Sequence, residues 1–392
     1  MRTRSSLSKA AAWSLALLCA SPATAAEPLT LVSDGPAGRA VQPLAAQLRA
    51  LRVRGVRVMT QNLYVGLDVF PVLGAAPEEI PFVVADAFAD FVANRPDERM
   101  AALATEIALL QPHLVGLQEV VEVFQQTPSD AILGETTPNA SDEVIDFLDV
   151  LLAELAQRGV TYEVAASQLG ADIELPRFDG ARGGQPAFSD VRTRFSDVIL
   201  RRAGVPTAPL FAINYAVGLP VPSLPGLVVP RNAVGVTARV DGNDFRFVST
   251  HLEPLVPGLP DDSQPQLGQV LELIELLATD HSPELATIVV GDFNSVAPAG
   301  TSRQLMEGAG FTDVWTVRAP LGQSGATCCQ SVVLDNPESQ LSERIDYIWT
   351  QNLELRSPVL AFTIGDQPIF RTPARPRLWP SDHAGVTALL RF

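Results

Sequence analysis

Six times in this chain an apolar, strand-like run stops on a carboxylate, an amide or a histidine. The strings are Thr60-Gln61-Asn62, Gln118-Glu119, Thr250-His251-Leu252-Glu253, Gly291-Asp292-Phe293-Asn294, Arg344-Ile345-Asp346-Tyr347 and Ser381-Asp382-His383. A carboxylate after a buried strand is often only a helix cap or a turn residue. Six such endings in one chain are a different matter. They predict several strands whose polar ends gather reactive side chains at one place.

The intervening sequence has the matching periodicities. Residues 53–62 place Val53, Val56 and Val58 as the apolar positions of a strand. Residues 97–111 put Met100, Leu103, Ala104, Ile107 and Leu110 on one helical face. A second amphipathic helix is expected through Val144, Phe147, Leu148, Leu151, Leu152 and Leu155, and a third through Leu267, Val270, Leu271, Ile274 and Leu277. Residues 114–118, 287–292, 344–350 and 385–392 read as strands. Residues 234–240 and 245–251 read as a hairpin around Asp241-Gly242-Asn243. Helices mixed with hairpins indicate an α/β or α+β fold. A hydrophobic content of 47% excludes a disordered chain, and 392 residues suffice for an ample core.

The N-terminus reads as an address. Arg2, Arg4 and Lys9 precede the apolar run 10–20, and Ala23-Thr24-Ala25 offers a small-residue cleavage site. A run of about 11 apolar residues cannot span a bilayer. Residues 1–26 are therefore expected to be a signal peptide, 27–50 a lead-in, and 51–392 the catalytic domain of a secreted or periplasmic protein. Losing Arg2, Arg4 and Lys9 takes the net charge from −16 to −19. That balance argues against a protein that holds polyanions by bulk charge. Cleavage also removes Cys19, so Cys328 and Cys329 have no distant cysteine partner within the chain. The open alternatives are a vicinal disulfide, a reduced pair or pairing between chains, with a local structural role as the default. His113 and His281 lie outside the six strings and read as packing or surface residues. Residues 203–230 contain no Asp, Glu, Lys or Arg and six prolines, which excludes a spanning helix. The stretch reads as a long apolar loop or hairpin over the core edge, or as a surface for lipid or an apolar substrate.

The order and spacing of the QE, GDFN and SDH strings resemble the endonuclease/exonuclease/phosphatase superfamily, typified by deoxyribonuclease I, from about Val53 to the C-terminus. The resemblance is to secreted bacterial members of unassigned substrate. It implies two packed, mostly antiparallel β-sheets flanked by helices in a four-layer sandwich, with insertions near 71–96 and 203–230. It also implies a divalent metal, Mg2+ or alternatively Mn2+ or Ca2+, and cleavage of a phosphoester substrate. By residue, it makes Glu119, Asn62 and Asp382 metal ligands, with Gln118 in support. His251, Asp292, Asn294, Asp346 and His383 become the catalytic set. Oxygen ligands suit Mg2+, and a carboxylate beside an imidazole stabilises its charged form.

His251 occurs in the nuclease, sphingomyelinase and 5-phosphatase branches and points away from DNA repair. No carboxylate partner for it is evident in the sequence. Asp197, in place of the glycine-asparagine string of many members, is either a phosphate neighbour or a strand-end residue. Arg231 and Asn232 are candidate substrate contacts. The main expectation is a metal-dependent phosphoesterase. The alternatives are a sphingomyelinase-like phospholipid phosphodiesterase touching membrane through 203–230, a secreted nuclease, and a catalytically silent binding protein on the same fold. No obligate protein partner is evident.

Overall fold

A computed structural model describes residues 54–221, 227–279, 284–319 and 321–392. The expected signal peptide and lead-in, and His281, lie outside the described residues. The first half of the described chain contains β1 (Val56–Asn62), α1 (Phe70–Gly74), α2 (Ile80–Ala93), α3 (Pro96–Leu110), β2 (Leu114–Gln126), β3 (Asp142–Asp146), α4 (Phe147–Gln157), β4 (Tyr162–Arg182) and β5 (Gln185–Arg202). Then follow β6 (Thr207–Asn214), β7 (Leu219–Pro220), β8 (Val228–Val229), β9 (Asn232–Val240), β10 (Asn243–His251), α5 (Pro265–Thr279), β11 (Thr287–Asp292), α6 (Thr301–Gly308), β12 (Thr312–Asp313), α7 (Val314–Val317), β13 (Asp346–Gln351), β14 (Leu360–Ile364) and β15 (Gly385–Leu390).

Two sheets form the sandwich. One runs β14-β15-β1-β2-β5-β4, with β3 on β2, and the other runs β12-β13-β11-β10-β9-β6. β1–β2 and β10–β11 are parallel, and the remaining neighbours are antiparallel. Period-2 alternation explains the layering. In β11, Ile288 and Val290 enter the core between the sheets, while Val289 joins the core under α5 and α6. In β1, Val56 and Val58 face the sandwich, and Met59 meets α3 and α4 on the other side. Strands buried on both faces read as continuous apolar runs, as these do. Each sheet therefore has a helical layer outside it, giving four layers.

The structure refines several expectations. Val144 lies in β3, because Asp146 caps α4 by accepting from the amides of Leu148 (2.7 Å) and Asp149 (3.1 Å). Residues 71–96 fold mostly into α1, α2 and the start of α3. The uncharged stretch 203–230 is not simply a loop, since it supplies edge strand β6 and the short β7–β8 pair. The long β4–β5 hairpin turns at Gly183-Gly184, whose φ of 62° and 81° only glycine takes without strain.

His113 is a packing residue, as expected. Its Nδ1 accepts the Arg57 backbone amide at 2.9 Å. Burial, then Arg202 and Arg57, depress its pKa from 6.5 to about 4. The folded protein thus keeps His113 neutral where the unfolded chain protonates it. Stability is whole above pH 6.5 and is lost as pH falls through about 4. After discounting for solvent screening, this loss is about 1–2 kcal/mol. His113→Asn keeps an acceptor without the titration. Its urea midpoint should fall less than that of the wild type between pH 7 and pH 4; equal falls refute the assignment.

Candidate active site

The six strings meet at one end of the sandwich because pairing aligns their ends. In the second sheet, Asn232 pairs with His251, His251 with Asp292, and Asp292 with Asp346, so four residues form one row across four strands. In the first sheet, Asn62 pairs with Gln118. A bulge in β2 between Leu117 and Val120 leaves Gln118 and Glu119 facing Asp197 alone on β5. Glu119 has φ +53°, an unusual backbone state that re-aims its side chain within the strand. Asp197 is therefore a buried mid-strand residue at the site, not a strand-end residue.

Asn62 ties the two sheets together. Its Nδ2 donates to Glu119 Oε1 (3.0 Å) and to Asp292 Oδ2 (3.1 Å), while its Oδ1 accepts the Tyr64 amide (2.9 Å). It orders the carboxylates through its N–H groups, and its own oxygen is engaged elsewhere. Glu119 Oε2 accepts the Val65 amide at 2.7 Å. Gln118 crosses the sandwich, donating to Ser249 Oγ (2.9 Å) and accepting from Thr60 Oγ1 (3.1 Å). Asn294 donates its side-chain amide to Leu252 O (2.9 Å) and its backbone amide to Asp292 Oδ1 (2.9 Å).

The two histidines have opposite electrostatics. His383 Nδ1 donates to Asp346 Oδ2 at 2.8 Å. Burial lowers its pKa, but Asp346, Asp382 and Asp292 more than reverse this and hold it well above 6.5. His251 is pushed well below 6.5 by burial, Arg231 and His383. Arg231 Nη1 donates to His251 Nδ1 (3.1 Å), and the guanidinium is held by both oxygens of Glu253 (2.9 and 3.3 Å). A nitrogen that accepts from arginine carries no proton, so neutral His251 has its proton on Nε2, and the 3.4 Å approach of Asn294 Nδ2 to that nitrogen is a contact between two donors rather than a hydrogen bond. The partner of His251 Nδ1 is thus the arginine of an Arg231–Glu253 pair, while its Nε2 faces Asp292. Asn232, beside it in the row, keeps its Oδ1 buried without a hydrogen-bond partner.

Asp292 lies between the imidazoles, its Oδ2 3.6 Å from His251 Nε2 and 3.8 Å from His383 Nε2. Burial, then the Asp346 charge, raises its pKa to about 7, with His383 opposing. Burial likewise raises Asp382 to about 6; His383 opposes this and Glu119 adds to it. Asp197 Oδ2 and Asp346 Oδ1 are buried without hydrogen-bond partners. Glu119, Asp197, Asp292, Asp346 and Asp382 thus gather five carboxyl groups around the cations His383 and Arg231. An oxygen-rich, cation-poor cluster of this kind fits a divalent ion of the Mg2+ class. Asp292, Asp346 and His383 also lie close enough together to share an ion.

Sequence reasoning missed the groups that brace the site. Thr327 Oγ1 accepts the amides of Ile345 (3.1 Å) and Asp346 (3.2 Å), and Thr327 O accepts the Ala384 amide (2.8 Å). The Gln330 amide donates to Asp382 O (2.9 Å). Between them, Cys328 and Cys329 form a vicinal disulfide with sulfurs within 4.8 Å of a His383 ring nitrogen. The pair thus lies beside the Asp346–His383 dyad. Arg99, fully buried on α3, was also missed. It donates to Leu63 O (2.9 Å), Tyr64 O (3.0 Å) and Pro380 O (3.1 Å), clamping the segments that carry Asn62 and Asp382. An arginine in a helix that opens Pro-Asp-Glu-Arg looks like a solvent-facing residue, and no local signal marks it.

The chain matches the model of the Endonuclease/Exonuclease/phosphatase family over residues 59–383. No curated protein matches it. Among solved structures, it is similar to an endonuclease/exonuclease/phosphatase family protein from Leptotrichia buccalis C-1013-b, with 16% identity, a TM-score of 0.51, and coverage of 86% of this chain and 100% of that one. It is also similar to an endonuclease/exonuclease/phosphatase from Beutenbergia cavernae DSM 12333, at 20% identity and TM-score 0.49, covering 87% of this chain and 72% of that one. A mannosyl-6-phosphatase from Bacteroides thetaiotaomicron VPI-5482 matches at 16% identity and TM-score 0.47, over 86% of this chain and 100% of that one. The family match spans all six strings and most of both sheets, and the chain belongs to the endonuclease/exonuclease/phosphatase family.

Proposed function

We propose that the protein is a divalent-metal-dependent phosphoesterase that hydrolyses phosphodiesters by attack of water on phosphorus. The observation that carries this reading is the strand-end row that sets Asp292 Oδ2 3.6 Å from the His251 imidazole and 3.8 Å from that of His383, itself paired with Asp346. Family membership supports phosphoester hydrolysis as the reaction class. Glu119 and Asp382 would hold the cation, with Asn62 ordering Glu119 beside it. When bound, the cation supplies charge stabilisation to the phosphoryl oxygens.

The chain's own groups do the rest. Asp292 accepts the proton of the attacking water, a role suited to a base titrating near neutrality. His383, kept charged by Asp346, donates to a phosphoryl oxygen as negative charge accumulates. His251 donates from Nε2 on the other side, and Arg231 fixes that tautomer. The bond from phosphorus to the leaving oxygen breaks, that oxygen takes a proton from solvent, and the products are a phosphomonoester and an alcohol. The test uses bis-p-nitrophenyl phosphate as substrate. Release of p-nitrophenolate in Mg2+ should vanish with EDTA and return with excess Mg2+ or Mn2+; turnover that persists in EDTA sinks the proposal.

A further inference from the structure

Beside the carboxylate cluster lies a cavity of about 130 Å3 with an almost wholly apolar wall. Its floor is the sheet formed by β2, β5 and β4, where Val123, Thr193 and Ile173 stand opposite one another in register. Its roof is α2, through Val84 and Phe88. Thr193 is the one polar residue in the wall among the described residues. One end is closed by Val65, the residue whose amide binds Glu119 Oε2 at 2.7 Å. The cavity wall and the ligand carboxylate are therefore joined by a single hydrogen bond. The floor leads to the same place, since Phe195 lies two residues before Asp197 on β5.

We propose that this cavity takes a single alkyl or acyl chain of a monomeric phosphoester whose phosphoryl group sits at Glu119, Asp292 and His383. The inference rests on the phosphoesterase reading and names its substrate class. Three observations converge on it. The wall offers water almost no hydrogen-bond partner, and apolar cavities of about 150 Å3 stay dry and accept a benzene-sized hydrocarbon. The roof comes from α1 and α2, so the chain builds the cavity from a segment outside the reactive strings. The adjoining cluster is charged while the cavity is apolar, and an amphiphile divides its surface in the same way. A nucleic-acid strand would instead bring phosphates and sugars against an uncharged apolar wall.

The test compares methyl and decyl p-nitrophenyl phosphate, the decyl ester below its micelle concentration. Each methylene that leaves water contributes a factor of about four. In wild-type protein the decyl ester should show at least a 10-fold higher kcat/KM. Ala87→Trp fills the cavity from α2, and Leu73→Asp charges its rim from the half-exposed face of α1. Either variant should remove the chain-length preference and leave methyl ester turnover unchanged. In parallel, calorimetry in Mg2+ compares decylphosphonate with methylphosphonate, whose carbon–phosphorus bonds are not hydrolysed. At least 10-fold tighter binding of the decyl compound, lost in the variants, is expected. Equal values for short and long chains in both measurements overturn the cavity assignment. Chain-selective binding without hydrolysis of any ester upholds the cavity and refutes the phosphoesterase reading instead.

Discussion

Asp292→Asn should lower kcat on bis-p-nitrophenyl phosphate by about 10^3-fold while making the metal-free protein more stable at pH 8. The two effects have opposite signs for one reason. Asparagine has the shape of aspartate and can still accept the Asn294 amide, but its NH2 gives up the Asn62 bond and cannot take a proton from water; the relief of the buried charge outweighs that lost bond. The folded wild type holds Asp292 at a pKa of about 7, raised from 3.8 by burial and by Asp346 against the opposing pull of His383. The native state therefore binds a proton that the unfolded chain has already released. Stability falls as pH rises from about 4 and is lowest above 7, where the buried charge is fully formed. Removing that charge should raise Tm at pH 8 by a few degrees, with the gap closing toward pH 4. Thermal melts in EDTA at both pH values, with kinetics in Mg2+, check the pair. Lost activity together with lost stability would make Asp292 a structural residue and discard its role as base.

The opposite states of the histidines also limit what other substitutions can do. His251→Gln retains a neutral N–H donor, whereas no uncharged residue replaces the His383 imidazolium beside Asp346. The site thus divides its work between one fixed positive charge, one neutral donor and one base near neutrality. The surrounding strands supply these roles through burial and neighbouring charge rather than through unusual residue types.

What was legible in the sequence follows from how local each signal is. Thr287–Asp292 shows its strand because it is buried on both faces, and its terminal carboxylate because the apolar run stops there. The Asp346–His383 pair is implied by the family resemblance, although 37 residues separate the two. Arg231 was noted only as a substrate candidate, because its grip on His251 and Glu253 depends on strand register between β9 and β10. The β4–β5 hairpin was not foreseen, since its half-buried positions carry Arg, Asp and Thr without clean alternation. For Asp197 the sequence leaves open a phosphate neighbour or a strand-end residue, because the bulge that it faces lies on another strand.

Arg99→Met is expected to be the most damaging change at any position that does not touch substrate. Methionine keeps most of the packing volume against Tyr64 and Phe147, whose rings lie 5.5 and 5.7 Å from the guanidinium carbon. It donates nothing, so Leu63 O, Tyr64 O and Pro380 O lose their side-chain donor. Leaving buried carbonyls unpaired costs about 1–3 kcal/mol each, and partial relaxation brings the total to about 3–5 kcal/mol. For a domain of this size, that is a fall in Tm of about 4–7 °C. The functional effect should follow the geometry. Leu63 and Tyr64 adjoin Asn62, and Pro380 precedes the Ser381-Asp382-His383 string, so the clamp spaces Glu119's partner from Asp382. Arg99 is also a cation near Asp382 and draws its pKa down against burial. Its removal should raise the Mg2+ concentration needed for half-maximal activity by at least 10-fold, with kcat at saturating Mg2+ reduced much less. Titrating Mg2+ at a temperature well below the variant's melting point separates this from simple unfolding. If the half-saturating concentration stays at the wild-type value while Tm falls, Arg99 holds the fold but not the spacing of the metal-binding carboxylates.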